Sequence, residues 1–298
     1  LDNAFSALLD SVSTDEGRFD VRQAALDSLA TVTPHGDLLS PLGDALASER
    51  SAFDAISDRQ SLTSLFWFFV FSYEHDFTGI VADMADFNAR QPVFALDAAG
   101  RSSAPFLEAW NCAGRPFPVL ALPHVSQPLW DRLLAASDFA IIRGEESFAR
   151  AILAGNPFLW QCYPFAETGG ERADSGQSGA QNSTGGQLPK VHAFLDRLRT
   201  FLFPDDFAAY ERLTRAFNGE ALAGSAPSMQ PEPARGDLLE VLRSLEKRPI
   251  YEADEYIPVT GEIPPSRTLA AAFRAWSREV RNLGNLAANL MTFMRDLG

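Results

Sequence analysis

Between residues 65 and 163, short apolar runs take turns with amphipathic runs, and this alternation restricts the fold more than any other feature of the chain. Residues 65–71, 93–96, 119–122, 139–142 and 158–162 are apolar, too short for core helices and mostly aromatic or branched, so each reads as a buried strand. Between them, residues 80–87, 107–112, 129–136 and 149–153 place apolar side chains at three- and four-residue spacing, as helices do. Strands alternating with helices specify an α/β fold, a Rossmann-like parallel sheet with right-handed crossovers and helices on its faces. Ligands of such sheets settle beyond the carboxyl ends of the strands.

The loops at those strand ends are therefore informative. Tyr73-Glu74-His75 comes after the first strand, Pro123 to Gln127 after the third, Arg143 to Ser147 after the fourth and Tyr163-Pro164 after the fifth. The loop after the second, residues 97–103, is bland, as an edge strand away from the crevice would explain. The fourth loop, Arg143-Gly144-Glu145-Glu146-Ser147, is the richest. A strand that turns at a glycine into a helix aims unpaired backbone N–H groups at whatever lies beyond it. Arg143 adds a guanidinium suited to phosphate, and Ser147 adds a hydroxyl. The plainer reading is an ordinary surface ion pair of Arg143 with Glu145 or Glu146, which these residues alone favour slightly. Gly155 sits where a left-handed glycine would end the helix, and Pro157 comes two residues later. His124, a lone histidine, suits binding better than acid–base work.

The net charge of −14 argues against a nucleic-acid surface, and 46% apolar content over 298 residues is enough for a sizeable core. Cys112 and Cys162 form no metal-ligand or disulfide pattern, which fits a reducing cytoplasm and no metal. The strongest apolar run, 65–71, is too short to span a bilayer, and no signal sequence opens the chain. The first residue is Leu, which points to a processed chain or a fragment. The two lysines, Lys190 and Lys247, read as codon bias.

Residues 1–60 read as a helical segment of unassigned role, with Phe5, Leu8, Leu9 and Val12, then Val21, Ala25, Leu26 and Leu29 at helical spacing, a turn at 33–37 and a helix at 45–56. His35 falls in that turn and reads as solvated. Residues 61–298 read as one domain. Within it residues 168–187 are Gly/Ser-rich and read as a flexible insertion, because they cannot bury a core. Helices are expected at 191–203, 207–217 and 238–245, with a Pro-rich linker at 226–235 and an irregular stretch at 249–265. A long amphipathic helix is expected at 269–297, striped by Phe273, Trp276, Val280, Leu283, Leu286, Leu290 and Phe293.

The motifs in this region resemble those of the EarP family, the protein-arginine rhamnosyltransferases that modify bacterial elongation factor P. The resemblance rests on Leu122 to Gln127, Asp131 to Leu134, Arg143 to Phe148, Ala154 to Pro157 and Trp160 to Pro164, with weaker likeness at Phe71 to Glu74, at Leu188 to Leu195 and in the final helix. It covers roughly residues 65–298 and implies the C-terminal, donor-binding half of a GT-B glycosyltransferase. It further implies an inverting transfer of rhamnose from TDP-rhamnose to an arginine of elongation factor P, without metal or other cofactor, and neither nucleic acid nor membrane as partner. Carried over by position, Tyr73, His124 and Gln127 would line the thymidine or sugar pocket. Arg143, Glu145, Glu146 and Ser147 would hold ribose and diphosphate. Three departures stand out. His124 occupies a position that is usually aromatic in the family, the Gly/Ser-rich insertion comes after Tyr163-Pro164, and Asp2-Asn3 does not continue into the family's Asp-Asn-x-Gly-Asp-x-Gly motif. The catalytic carboxylate is therefore expected in an N-terminal domain missing from this chain, and no catalytic residue is assigned. A non-catalytic module that holds a nucleotide sugar is the alternative, and a pure scaffold a distant third.

Deleting residues 168–187 should leave the melting temperature within a few degrees of the parent, since loop closure changes by only about 0.6 kcal/mol per doubling of length. A sharp drop in a thermal melt would contradict this.

Overall fold

The computed structural model describes residues 3–12, 14–32, 65–163, 188–220, 233–246 and 268–282. The expected turn at 33–37, the helix at 45–56, the insertion at 168–187, the stretch at 249–265 and the last half of the final helix lie outside these residues. Five strands form one parallel sheet in the order β3-β2-β1-β4-β5. They are β1 (Phe66–Val70), β2 (Val93–Asp97), β3 (Val119–Ala121), β4 (Phe139–Arg143) and β5 (Phe158–Gln161). Every residue of β1 and β2 is buried, as expected for parallel strands covered on both faces.

Among the described residues the helices are α1 (Asn3–Ser11), α2 (Asp15–Val32), α3 (Thr78–Asn88), α4 (Ser103–Cys112), α5 (Gln127–Ala136), α6 (Gly144–Ala154), α7 (Leu188–Arg199), α8 (Pro204–Phe217), α9 (Asp237–Glu246) and α10 (Leu269–Asn282). Residues 191–203, expected as one helix, instead form α7 and a turn before Pro204 starts α8. None of the described helices is long and apolar enough to cross a membrane.

The strand order corrects one expectation. β2 is an inner strand, and the edges are β3 and β5. The loop after β2 braces the segment that leaves β1. Asp97 at its start is fully buried and accepts a bond from Ser103 Oγ at 2.5 Å, while Ser102 Oγ accepts the Ser72 N–H at 2.9 Å. Numbering along the sheet reverses between β1 and β4, so the crevice of this fold lies beyond the ends of those two strands.

Gly155 ends α6 at φ +73, and its N–H bonds the carbonyls of Ala151 and Ile152. A Cβ there would come within 3.0 Å of Ser277 Cβ, so the glycine also lets α10 pack closely on α6. Ser277 Oγ donates to the Leu153 carbonyl at 2.7 Å across that contact. On α10, Phe273, Trp276 and Val280 are buried, so the described part of the stripe faces the core. A second tie is made by Asp83 of α3, whose carboxylate accepts the N–H groups of Gly236, Leu238 and Leu239 at the start of α9, at 2.6, 3.0 and 3.2 Å.

The amino end of the sheet is closed by α2. Arg22, whose side chain is 7% exposed, donates to the Ala136 and Leu65 carbonyls at 3.0 Å and to Asp138 at 2.5 Å. Arg18 also reaches Asp138, at 3.2 Å, and Asn156, at 3.1 Å. Asp138 accepts the Trp67 N–H at 2.7 Å as well, so one carboxylate joins β1, the start of β4 and α2. Asp138→Ala should cost about 3–5 kcal/mol in urea unfolding, because Arg22 would stay buried without its counter-charge. A loss below about 1 kcal/mol would refute that account.

Candidate functional site

Parallel strands of matching polarity bring the sequence-expected residues to one edge. Tyr73, His124 and Ser147 lie beyond the carboxyl ends of β1, β3 and β4, and Arg143 is the last residue of β4. They do not all meet. The Arg143 guanidinium rests against two rings from the β1 loop, 4.5 Å from the Phe71 centroid and 4.7 Å from that of Tyr73. Tyr163 meets Tyr73 edge-on at 5.6 Å. Phe71 and Tyr73 both come from the short segment that leaves β1. The Phe71 N–H continues the ladder onto the Ile141 carbonyl at 2.8 Å, which holds the start of that segment against β4.

Gln161 at the end of β5 fixes the next step of the loop. Its side-chain carbonyl accepts the Tyr73 N–H at 2.8 Å and the Ser72 hydroxyl as well. The turn after β4 is held as tightly. Gly144 has φ +69, and a Cβ there would sit 3.6 Å from the Tyr73 hydroxyl. The Gly144 carbonyl accepts the Trp160 indole N–H at 3.0 Å. Burial raises the Tyr73 phenol above its usual range, with adjacent Arg143 opposing.

The surface ion pair that the residues alone favoured is not formed. Glu145 pairs with Lys190 of α7 at 3.3 Å and Glu146 with Arg150 at 3.4 Å, whereas Arg143 makes no ion pair among the described residues. Its Nε is buried without a hydrogen-bond partner. Aromatic faces hold a guanidinium in place, with about 0.5–2 kcal/mol, without cancelling its charge. The arrangement is a fixed cation beside the first turn of a helix, able to accept an anion from outside.

Gln127 joins the site through a chain of contacts. It donates to Asp131 at 2.9 Å, Asp131 accepts two bonds from Arg150, and Arg150 reaches Glu146. His124 is exposed beyond the edge strand β3, and no described contact ties it to Arg143. Ser147 is half-buried in the first turn of α6. Four contributors were not assigned from sequence: Phe71, Gln161, Lys190 and the Asp97–Ser103 pair. A polar Gln closing an otherwise apolar strand was a readable signal. Among the described residues no three His, Cys, Asp or Glu side chains gather as metal ligands would.

The fold and site define a doubly wound α/β domain with a fixed cation at its switch point. Residues 44–172 match the family model described as elongation-factor P (EF-P) rhamnosyltransferase EarP, so the resemblance drawn from the motifs is borne out over that stretch. A protein-arginine rhamnosyltransferase of Neisseria meningitidis is 38% identical over 108 residues, and one of Pseudomonas putida is 38% identical over the same length. Each match spans 36% of this chain and 24% of the relative, about a quarter of its length. A solved structure described as the structural basis for EarP-mediated arginine glycosylation of translation elongation factor EF-P shares the fold. It has a TM-score of 0.56 and 22% identity, over 98% of this chain and 70% of that one. The expected fold class, a Rossmann-like parallel sheet flanked by helices, agrees with that likeness.

Two groups beside the site, half-buried His75 and buried Asp97, shape its pH response. Burial pushes His75 down from 6.5 to about 4, with Asp76 opposing, and its ring packs 4.4 Å from that of Phe217. As pH falls from 6.5 to 4 the unfolded chain takes up the proton first, and stability is lost. Burial pushes Asp97 up from 3.8 to about 6, with Ser103 opposing, so its contribution is complete at low pH and is lost as pH rises through that window. The two slopes oppose each other. Asp97→Asn removes one of them, and its unfolding free energy at pH ~7 minus that at pH ~4.5 should exceed the parent's by about 2 kcal/mol. Denaturant titrations at both pH values test this, and an unchanged difference would count against the buried carboxylate.

Proposed function

We propose that this chain is the donor side of an enzyme that transfers rhamnose from TDP-rhamnose to an arginine side chain of elongation factor P. The observation that carries the reading is Arg143: a cation held by two rings, without a carboxylate partner among the described residues, at the switch point and beside the first turn of α6. The family match at residues 44–172 supports the same reading. Diphosphate is the leaving group of a nucleotide sugar, and its developing charge would fall to Arg143 and the N–H groups of the α6 turn, with no metal needed. The exposed Tyr163 offers a face for the base or sugar, with Tyr73 behind it, Gln127 and His124 the rim, Glu145 or Glu146 the ribose hydroxyls, and Ser147 a further donor.

Transfer makes a second demand, because the acceptor guanidinium is protonated at neutral pH and must lose a proton as it attacks. Both carboxylates of the α6 turn are engaged by cations, Glu145 by Lys190 and Glu146 by Arg150, and the sequence assigns no carboxylate to that proton. This favours a second reading for the chain alone, a module that holds the nucleotide sugar without turnover. A mass-shift assay on elongation factor P separates the two.

Arg143→Ala should weaken binding of TDP-rhamnose about ten- to a hundredfold in calorimetric titration, since a charge-assisted contact contributes roughly 1.5–3 kcal/mol. Equal affinity of parent and variant would remove Arg143 from the site.

A further inference from the structure

The first turn of α6 poses an electrostatic problem for any diphosphate. Two carboxylates, Glu145 and Glu146, already stand at the helix end that the anion would approach. Glu145 is two residues from Arg143, close enough in sequence to pair with it and quench the cation the site presents. Glu145 already has a cationic partner from elsewhere in the chain. Lys190 of α7 places its ammonium 3.3 Å from Glu145 Oε1. Its side chain is only 18% exposed and that of Glu145 40%, so the pair is screened less than the Glu146–Arg150 pair, in which Glu146 is 79% exposed. Arg150 is also committed to Asp131 through both carboxylate oxygens.

Lys190 is one of two lysines in a chain with 25 basic residues.

We infer that Lys190 is a positioning residue: by neutralising Glu145 and keeping it away from Arg143, it allows the α6 turn to accept the diphosphate of a nucleotide sugar. The inference rests on the donor-site reading above and adds the condition under which that site can hold an anion. Lys190 acts through Glu145 and does not itself touch the ligand. Its effect therefore depends on Glu145 being charged.

The experiment is a double-mutant cycle read by calorimetric titration with thymidine diphosphate, on the parent, Lys190→Met, Glu145→Gln and the double variant. Lys190→Met should weaken binding about tenfold, because an uncompensated carboxylate then faces the diphosphate at close range. In the Glu145→Gln background the same change should cost nothing. Circular dichroism melts establish that each variant folds, and Lys190→Gln takes the place of Lys190→Met should the latter fail. Two results overturn the inference while leaving the donor site standing: Lys190→Met binding as the parent does, or the loss persisting in the Glu145→Gln background. A parent that does not bind thymidine diphosphate removes the donor-site reading itself, and this inference with it.

Discussion

The seam between β1 and β4 is the constraint on which the rest of this molecule depends. It is where the strand order turns back on itself, and its register spans only Phe68 to Val70 against Phe139 to Ile141. A seam this short is fastened at both ends. At the amino end Asp138 accepts the Trp67 N–H while its own N–H donates to the Trp67 carbonyl at 2.8 Å, and Arg22 anchors the carboxylate. At the carboxyl end, the Phe71 ladder bond and the two rings under Arg143 repeat the fastening with different chemistry. The crevice is then a by-product of topology, and the cation in it is placed by the same contacts that close the sheet.

Much of this fold was readable in advance, and the reason is periodicity. All five strands fall where apolar runs were seen, because parallel strands buried on both faces need continuous apolar sequence. Gly155 and Gly144 declared their turns, since left-handed backbone is costly for other residues. Strand order was not readable in the same way: which strand lies inside depends on the path of each crossover, and no residue of β2 advertises its two neighbours. Charge partners were hidden for a related reason. Arg143 was free to be read as pairing with Glu145 while Lys190, 45 residues beyond that glutamate, had no visible address. Phe71 was hidden by its ordinariness, because an aromatic residue at the end of an aromatic strand gives no sign of serving as a platform.

Polar side chains also bridge elements that the sheet leaves apart. Asn218, just after α8, accepts the Cys162 N–H at 2.9 Å and donates to the Trp160 carbonyl at 2.8 Å, so it occupies backbone groups that the edge strand β5 would otherwise leave open. An edge blunted in this way is a poor template for another chain. Tyr210 plays a similar part inside, its hydroxyl donating to the Phe158 carbonyl within an aromatic cluster that includes Phe194 and Phe273. The C-terminal helices are thus bound to the sheet by specific polar contacts as well as by apolar burial.

Asp83 carries a consequence for the order of assembly. The start of α9 is completed by a carboxylate far earlier in the chain, as the Gly236 contact at a separation of 153 shows. Until α3 has docked, the first turn of α9 has no such partner, and a helix of 10 residues is marginal by itself. During synthesis from the N-terminus, the strands and crossovers would therefore be made first and α9 would be added to a surface that already exists. A contact that spans so much of the chain slows the search for the native state. It also makes the late helix a reporter: amide exchange at Leu238 and Leu239 registers whether the earlier part of the chain has found its place.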